Sequence, residues 1–134
     1  MTVDAEIVIV GGGLAGSATA LHLARLGHDV IVLERATGTR DKVCGEGLMP
    51  HGVAALARLG VLLPVARPFV GIGWTAGGVT AVGTFPAGTN GLGMRRSLLD
   101  EALLAAASQV VDVRRVTVRG IRRGAALTDH GEVR

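Results

Sequence analysis

Residues Glu6 to Val10 read EIVIV and run directly into GGGLAG, Gly11 to Gly16. No other feature constrains the chain as much as this junction. A short β-branched run suits a strand buried on both faces. From Leu14 to Leu26 the spacing predicts a helix, with Leu14, Ala18, Leu21 and Leu26 along one stripe. Gly27 stands where a helix C-cap belongs. Val30 to Leu33 is a second apolar run, closed by Glu34 and Arg35. Strand, helix and strand within about 30 residues make a βαβ unit with a right-handed crossover.

Gly11, Gly13 and Gly16 fill a Gly-X-Gly-X-X-Gly pattern, and Leu14 and Ala15 complete the loop. The first glycine allows the tight turn off the strand. The second lets a diphosphate approach the backbone with no Cβ in the way. The third lets helix and strand pack closely. Phosphates then meet free N–H groups at a helix N-terminus. Glu34 ends the second strand about twenty residues further on, where a carboxylate can accept hydrogen bonds from a ribose diol. The same charge repels a 2′-phosphate. The competing explanation is a glycine-rich connection with an incidental Glu. The strand–helix–strand context argues against it, but leaves NAD and FAD both open.

Aromatic residues are nearly absent, with Trp74, Phe69 and Phe85 and no Tyr, so the core must be aliphatic. That suits an α/β fold, a Rossmann-like βαβ domain with parallel strands covered by helices on both faces. Further elements follow. Ala36 to Gly47 reads as a loop. Pro50 opens a short helix through Leu59, stopped by Gly60. Phe69 to Phe85 suggests two strands joined near Gly77-Gly78. Arg96 to Ala107 is a third helix with Ser97 as its candidate N-cap. Val111 to Val118 suggests one half-exposed strand, and Ala125 to Thr128 another before a turn at Asp129 to Gly131.

Several function classes lose support. The arginines at 114, 115, 119, 122 and 123 have no interleaved aromatic, so nucleic acid is not an expected partner. His22, His28, His51 and His130 lack metal-ligand spacing, so no metal is expected. Ser17 lacks the second glycine of a hydrolase elbow. Cys44 is the sole cysteine, which excludes an internal disulfide. No apolar stretch is long enough to span a bilayer, and Asp4 and Glu6 are wrong for a signal peptide. A cytoplasmic location is the expectation.

Other stretches extend the glycine loop into a family resemblance. Ala20 and Gly27 continue the longer glycine pattern; Glu34-Arg35 is followed by Arg40. KVCGEGLMP spans Lys42 to Pro50, and Arg96, Leu99 and Asp100 fit an Arg-X-X-Phe/Leu-Asp pattern. The chain thereby resembles FAD-dependent oxidoreductases of the p-hydroxybenzoate hydroxylase-like superfamily, in its geranylgeranyl reductase and flavin-dependent halogenase branch. The resemblance implies FAD as cofactor and NAD(P)H as electron donor. It implies a small-molecule substrate, isoprenoid or aromatic, and a monooxygenase, halogenase or reductase activity. By the same resemblance Arg96 reaches the pyrophosphate or ribityl chain. Arg35, Arg40, Cys44 and Gly45 belong to the cofactor site, and Val118 offers its backbone to adenine. Family members run to several hundred residues, with a Gly-Asp motif beyond this point. Residues 1–134 are therefore expected to be an incomplete N-terminal FAD-binding domain, without its substrate domain and inactive alone.

Catalytic residues are not identified. Cys44 is one candidate, against a small side chain filling a turn. Glu46 is another, as a proton carrier, against a loop carboxylate in water. Trp74 could line a pocket or simply pack. The rival functions are a non-catalytic dinucleotide-binding module, for NAD or FAD, and an inactive truncated product.

Overall fold

The computed structural model describes residues 4–38 and 42–134, so Arg40 lies outside the described residues. In chain order the elements are β1 (Ile7–Val10), α1 (Leu14–Arg25), β2 (Val30–Glu34), β3 (Gly47–Leu48), α2 (Pro50–Arg58), β4 (Arg67–Phe69) and β5 (Gly71–Ala76). Then follow β6 (Val79–Thr84), β7 (Gly91–Gly93), α3 (Arg96–Ala107), β8 (Asp112–Arg115), β9 (Val118–Arg122), β10 (Ala125–Thr128) and β11 (Gly131–Val133).

The βαβ unit forms as the apolar runs require. β1 and β2 are parallel, from Ile7 opposite Val30 to Val10 opposite Leu33. β8 lies parallel on the other side of β2, with Glu34 opposite Arg115. β2 is thus the central strand, and Val30 to Leu33 are all buried. Each of those side chains stabilises by roughly 1.5–3 kcal/mol.

Alternate residues of β2 enter two separate cores. Val30 and Val32 pack with Ala20, Leu21, Leu56, Leu99 and Leu103 from the three helices. Ile31 and Leu33 pack with Ala5, Ala126 and Val133. The helices therefore cover one face only. The antiparallel sheet β11-β10-β9 covers the other, which corrects the expectation of helices on both faces. The physical demand, two covered faces, is met by a different element.

Helix ends follow local chemistry. After α1, Gly27 adopts φ +86°. Its N–H donates to Ala24, and the His28 N–H donates to Leu23. This is a Schellman closure. Leu26 falls beyond the last helical residue and is exposed, so it leaves the expected stripe. α3 starts at Arg96 with Arg95 at the cap position and no side-chain cap bond, so Ser97 is not the N-cap. A carboxylate from elsewhere fills part of that role: Glu46 Oε1 accepts from the Arg96 N–H at 3.4 Å.

The expected strand at 111–118 is two strands in different sheets. The chain turns a corner at Val116-Thr117, where the Thr117 N–H donates to Asp129 Oδ1 at 3.0 Å and the Asp129 N–H donates to the Thr117 carbonyl. Val111 and Val113, then Val116 and Val118, alternate on either side of Arg114-Arg115, where the phase slips by one residue, and so close a pair of alternations reads as one element. The Gly77-Gly78 hairpin is present, with φ of +57° and +79° matching a tight two-residue turn. Its strands β5 and β6 pair only with each other, and Trp74, Val79 and Val82 are exposed. β3, β4 and β7, too short to show periodicity, form a separate sheet.

Gly16 lies in the first turn of α1, where a Cβ would stand 1.9 Å from the Gly11 carbonyl oxygen and 3.3 Å from Ile9 Cγ2. Only hydrogen fits between helix and loop. Gly16→Ala is expected to destabilise the fold by about 1–3 kcal/mol or more, read as a lower urea midpoint. The acid side of the stability curve rests on three carboxylates. Asp4 is held below its ordinary value by the Arg134 N–H and then the Arg114 guanidinium. Asp129 is lowered mainly by the Thr117 N–H, and Glu132 by Arg134 and Arg122. A depressed folded pKa means stability that is present above the unfolded value near ~4 and lost as pH falls through the folded one. The melting temperature is expected to fall below about pH 4. Asp4→Asn should lower it at neutral pH and flatten that acid slope; an unchanged slope would remove Asp4 from the account.

Candidate dinucleotide site

The glycine loop and the tip of β2 meet through one side chain. Glu34 Oε2 accepts from the Gly12 N–H at 2.7 Å, and Glu34 Oε1 accepts from the Ala36 N–H at 2.7 Å. The first bond spans the ends of the two parallel strands. The second closes the turn after β2. The carboxylate is only partly buried and is thus fixed in place beside solvent.

Each glycine of the loop has a distinct cause. Gly11 has φ +100° with open space around it, so its need is conformational. A Cβ on Gly12 would meet Leu104 Cδ1 at 2.9 Å and Glu34 Cβ at 3.2 Å, so the absence of a side chain lets α3 pack close on the loop. Gly13 is the opposite case. It has ordinary extended φ and ψ, and a Cβ there would meet only Lys42 Nζ, at 3.5 Å. Among the described residues, no packed atom demands glycine at 13. Ser17 is fully buried beneath the loop and donates to the Gly12 carbonyl at 2.9 Å.

A cavity of about 350 Å³ opens at this point. Gly12, Gly13 and Glu34 line it from the expected site; Lys42 and the turn residues Ala36 to Gly38 add to it. Leu104, Ala105 and Ser108 contribute one face of α3, and Val113 and Arg115 come from β8. Sequence reading missed Gly12, Lys42 and these α3 and β8 residues. A signal existed for some: Asp100, Leu104 and Ser108 recur at helical spacing, and all three line the cavity. Arg115 also donates to the Ala36 carbonyl, holding the turn from the β8 side.

The other expected residues fall elsewhere. Gly11 and Gly16 shape the loop without lining the cavity. Leu14 packs against the helical core, while Ala15 and Arg35 are exposed. Val118 begins β9 and is half-buried against the second core. Arg96 Nε donates to Asp100 Oδ1 at 2.7 Å. That bond raises the Arg96 guanidinium further above its ordinary value, with burial opposing and Cys44 adding a smaller contribution. Lys42 Nζ stands 3.9 Å from the other Asp100 oxygen. Cys44, Gly45 and Glu46 are exposed and lie outside the cavity lining. Glu46 adopts φ +54°, rare for a non-glycine residue, and its N–H donates to Cys44 Sγ at 3.4 Å. Its carbonyl accepts from Met94, so the loop is tied to the approach to α3. Among the described residues no cluster of His, Cys, Asp and Glu could hold a metal ion, and no helix is long and apolar enough to cross a membrane.

Comparison with known proteins matches this geometry. A family model for FAD dependent oxidoreductase matches residues 6–133. The menaquinone reductase of Mycobacterium tuberculosis (strain H37Rv) is 54% identical over 63 residues, covering 46% of this chain and 15% of that protein. The squalene epoxidase of Schizosaccharomyces pombe is 43% identical over 60 residues, covering 45% of this chain and 13% of that protein. The matches thus span a small part of those relatives' own length. In three dimensions, the p-nitrophenol 4-monooxygenase of Pseudomonas putida superposes with a TM-score of 0.79 at 24% identity, over 99% of this chain and 39% of that one. This last likeness establishes the fold, a Rossmann-like FAD-binding architecture. Loop, carboxylate and family model agree: the chain belongs to the FAD-dependent oxidoreductase family.

Proposed function

We propose that this chain holds the adenosine diphosphate half of FAD in the cavity between the glycine loop, the tip of β2 and α3. One observation carries the reading. Glu34 is pinned by the Gly12 and Ala36 amides at the mouth of a cavity whose floor, at Gly13, is bare backbone. Among the described residues, a Cβ at Gly13 would approach only the amine of Lys42 within 4 Å, and this open space suits a ligand.

Within this reading each residue has a task. Glu34 accepts from the ribose hydroxyls and disfavours a 2′-phosphate. Gly13 and the first turn of α1 offer amides to the diphosphate. Leu104, Ala105 and Val113 give the cavity apolar walls suited to an adenine ring. Arg96, Arg35, Cys44, Gly45 and Val118 are proposed at the edges of the same cofactor site, toward the flavin or the adenine. A bound flavin would supply the redox chemistry, and the protein would position it and exclude water. Cys44 and Glu46 remain candidates for contact with substrate or proton. They stand beside Arg96, in a loop whose strained Glu46 backbone is typical of functional segments.

The wider activity follows from the family. We read residues 1–134 as the FAD-binding portion of an NAD(P)H-linked oxidoreductase acting on a small molecule in the cytoplasm. The proposed substrate is a small molecule, isoprenoid or aromatic.

The test is a titration of the purified protein with FAD, followed at the oxidised flavin's absorption near ~450 nm. Binding of FAD supports the reading. Binding of NAD but not FAD would turn it into a nicotinamide-dinucleotide module. Glu34→Ala is expected to weaken FAD binding by about 1–3 kcal/mol, the scale for losing bonds to a charged acceptor. Gly13→Val should abolish binding while leaving the melting temperature nearly unchanged, because its side chain enters ligand space and not packed protein. A Gly13→Val variant that kept its FAD affinity would sink the assignment.

A further inference from the structure

We infer that Lys42 is a diphosphate-binding residue, parked on Asp100 until an adenosine diphosphate group enters the cavity. The inference rests on the proposed dinucleotide site and adds to it a cation that the glycine pattern does not contain.

The amine sits over the place where a phosphate would go. Among the described residues, and apart from Gly13's chain neighbours, Lys42 Nζ is the one heavy atom within 4 Å of a Cβ placed on Gly13, at 3.5 Å. It lines the same cavity as Gly12, Gly13 and Glu34. Its side chain is about half exposed, so it has freedom to move. Its present partner is a poor one. Asp100 Oδ2 is 3.9 Å away, too far for a hydrogen bond. The other oxygen of Asp100 is committed to Arg96 at 2.7 Å. Asp100 is therefore compensated by Arg96 whether or not Lys42 stays, and the amine can leave at little cost.

The charge pattern of the cavity gives this cation a use. Among the described residues, Glu34, Asp100 and Glu101 line it against Lys42 and Arg115. The acidic groups there are at least as many as the basic ones, so a diphosphate needs a cation placed close to it. One donor of Arg115 is taken by the Ala36 carbonyl, which holds that guanidinium beside the turn after β2. Amides at a helix N-terminus favour an anion only modestly. A lysine beside Gly13 supplies a compact, mobile charge with three donors, as lysines do in other phosphate loops. Binding would then exchange the loose Lys42–Asp100 contact for a direct one between Nζ and a phosphate oxygen.

Lys42 is also the sole lysine of the chain, so its reactivity can be followed without ambiguity. The experiment compares ADP with adenosine, which shares the base and ribose but has no phosphate. In the wild-type protein, ADP is expected to slow acylation of Lys42 by an amine-reactive ester at least fivefold, read by peptide mass spectrometry. Saturating adenosine should leave the rate within twofold. In parallel calorimetry, Lys42→Met should lose about tenfold in ADP affinity and keep its adenosine affinity, with an unchanged melting temperature. Lys42→Arg should retain most of the ADP affinity. ADP binding with equal acylation rates, or equal ADP affinity in Lys42→Met, would overturn the role of Lys42 and leave the dinucleotide site standing. A wild-type protein that bound neither ligand would instead overturn the site itself, and this inference with it.

Discussion

A single charge-assisted hydrogen bond, from the Gly12 amide to the Glu34 carboxylate at 2.7 Å, organises this molecule. It joins the ends of two parallel strands beside a backbone bond from the Gly11 N–H to the Leu33 carbonyl at 2.8 Å. It fixes where the glycine loop lies relative to the tip of β2. Close hydrogen bonds to a charged acceptor contribute more than neutral ones, of order 1.5–3 kcal/mol. More important here is geometry, because the loop, the cavity mouth and the sugar-binding position all take their coordinates from that one carboxylate. Gly12 completes the arrangement by letting Leu104 of α3 close over it.

The strand at the centre explains why the rest of the chain can be so varied. β2 buries Val30 and Val32 toward the helices and Ile31 and Leu33 toward the antiparallel sheet. Both faces need cover, but nothing specifies that helices must provide it. Here β9, β10 and β11 do so on one side, with Ala126 and Val133 in contact with the core. The N-terminal segment is fastened to that same sheet, since the Ala5 N–H donates to the Arg134 carbonyl at 2.9 Å. Asp4 returns the contact by accepting from the Arg134 N–H at 3.0 Å.

What could be read from the residues alone was whatever local rules decide. The βαβ unit, the two glycine-terminated helices and the Gly77-Gly78 hairpin each carry their instructions within a few residues. The position of the loop was legible to the same extent: Gly11, Gly13 and Gly16 fall at the strand-to-helix junction and Glu34 at the tip of β2, though of these only Gly13 and Glu34 line the cavity. The misses share one cause, which is distance along the chain. Ser97 looked like a cap because no local rule reveals that Glu46, 50 residues earlier, reaches the Arg96 N–H. The corner at Thr117 depends on Asp129, and the cavity walls depend on which strand lies beside β2. Lys42 was visible as the only lysine, yet its place over Gly13 is a tertiary fact. Gly12 is the instructive case. The pattern treats it as a free position, while Leu104 and Glu34 pack close against it, so a side chain there would have to displace one of them.

The double employment of Glu34 has a consequence for anyone wishing to change which sugar the pocket accepts. Dinucleotides with and without a 2′-phosphate are commonly discriminated by swapping an acidic residue for a smaller or basic one. In this chain such a swap would also strip an acceptor from two backbone amides and release the loop from the strand. A redesign would need a second acceptor, introduced from β8 or from the turn at Thr37, before position 34 was surrendered. Selectivity and scaffold are coupled through one side chain, so altered preference and lost stability would arrive together unless they were engineered as a pair.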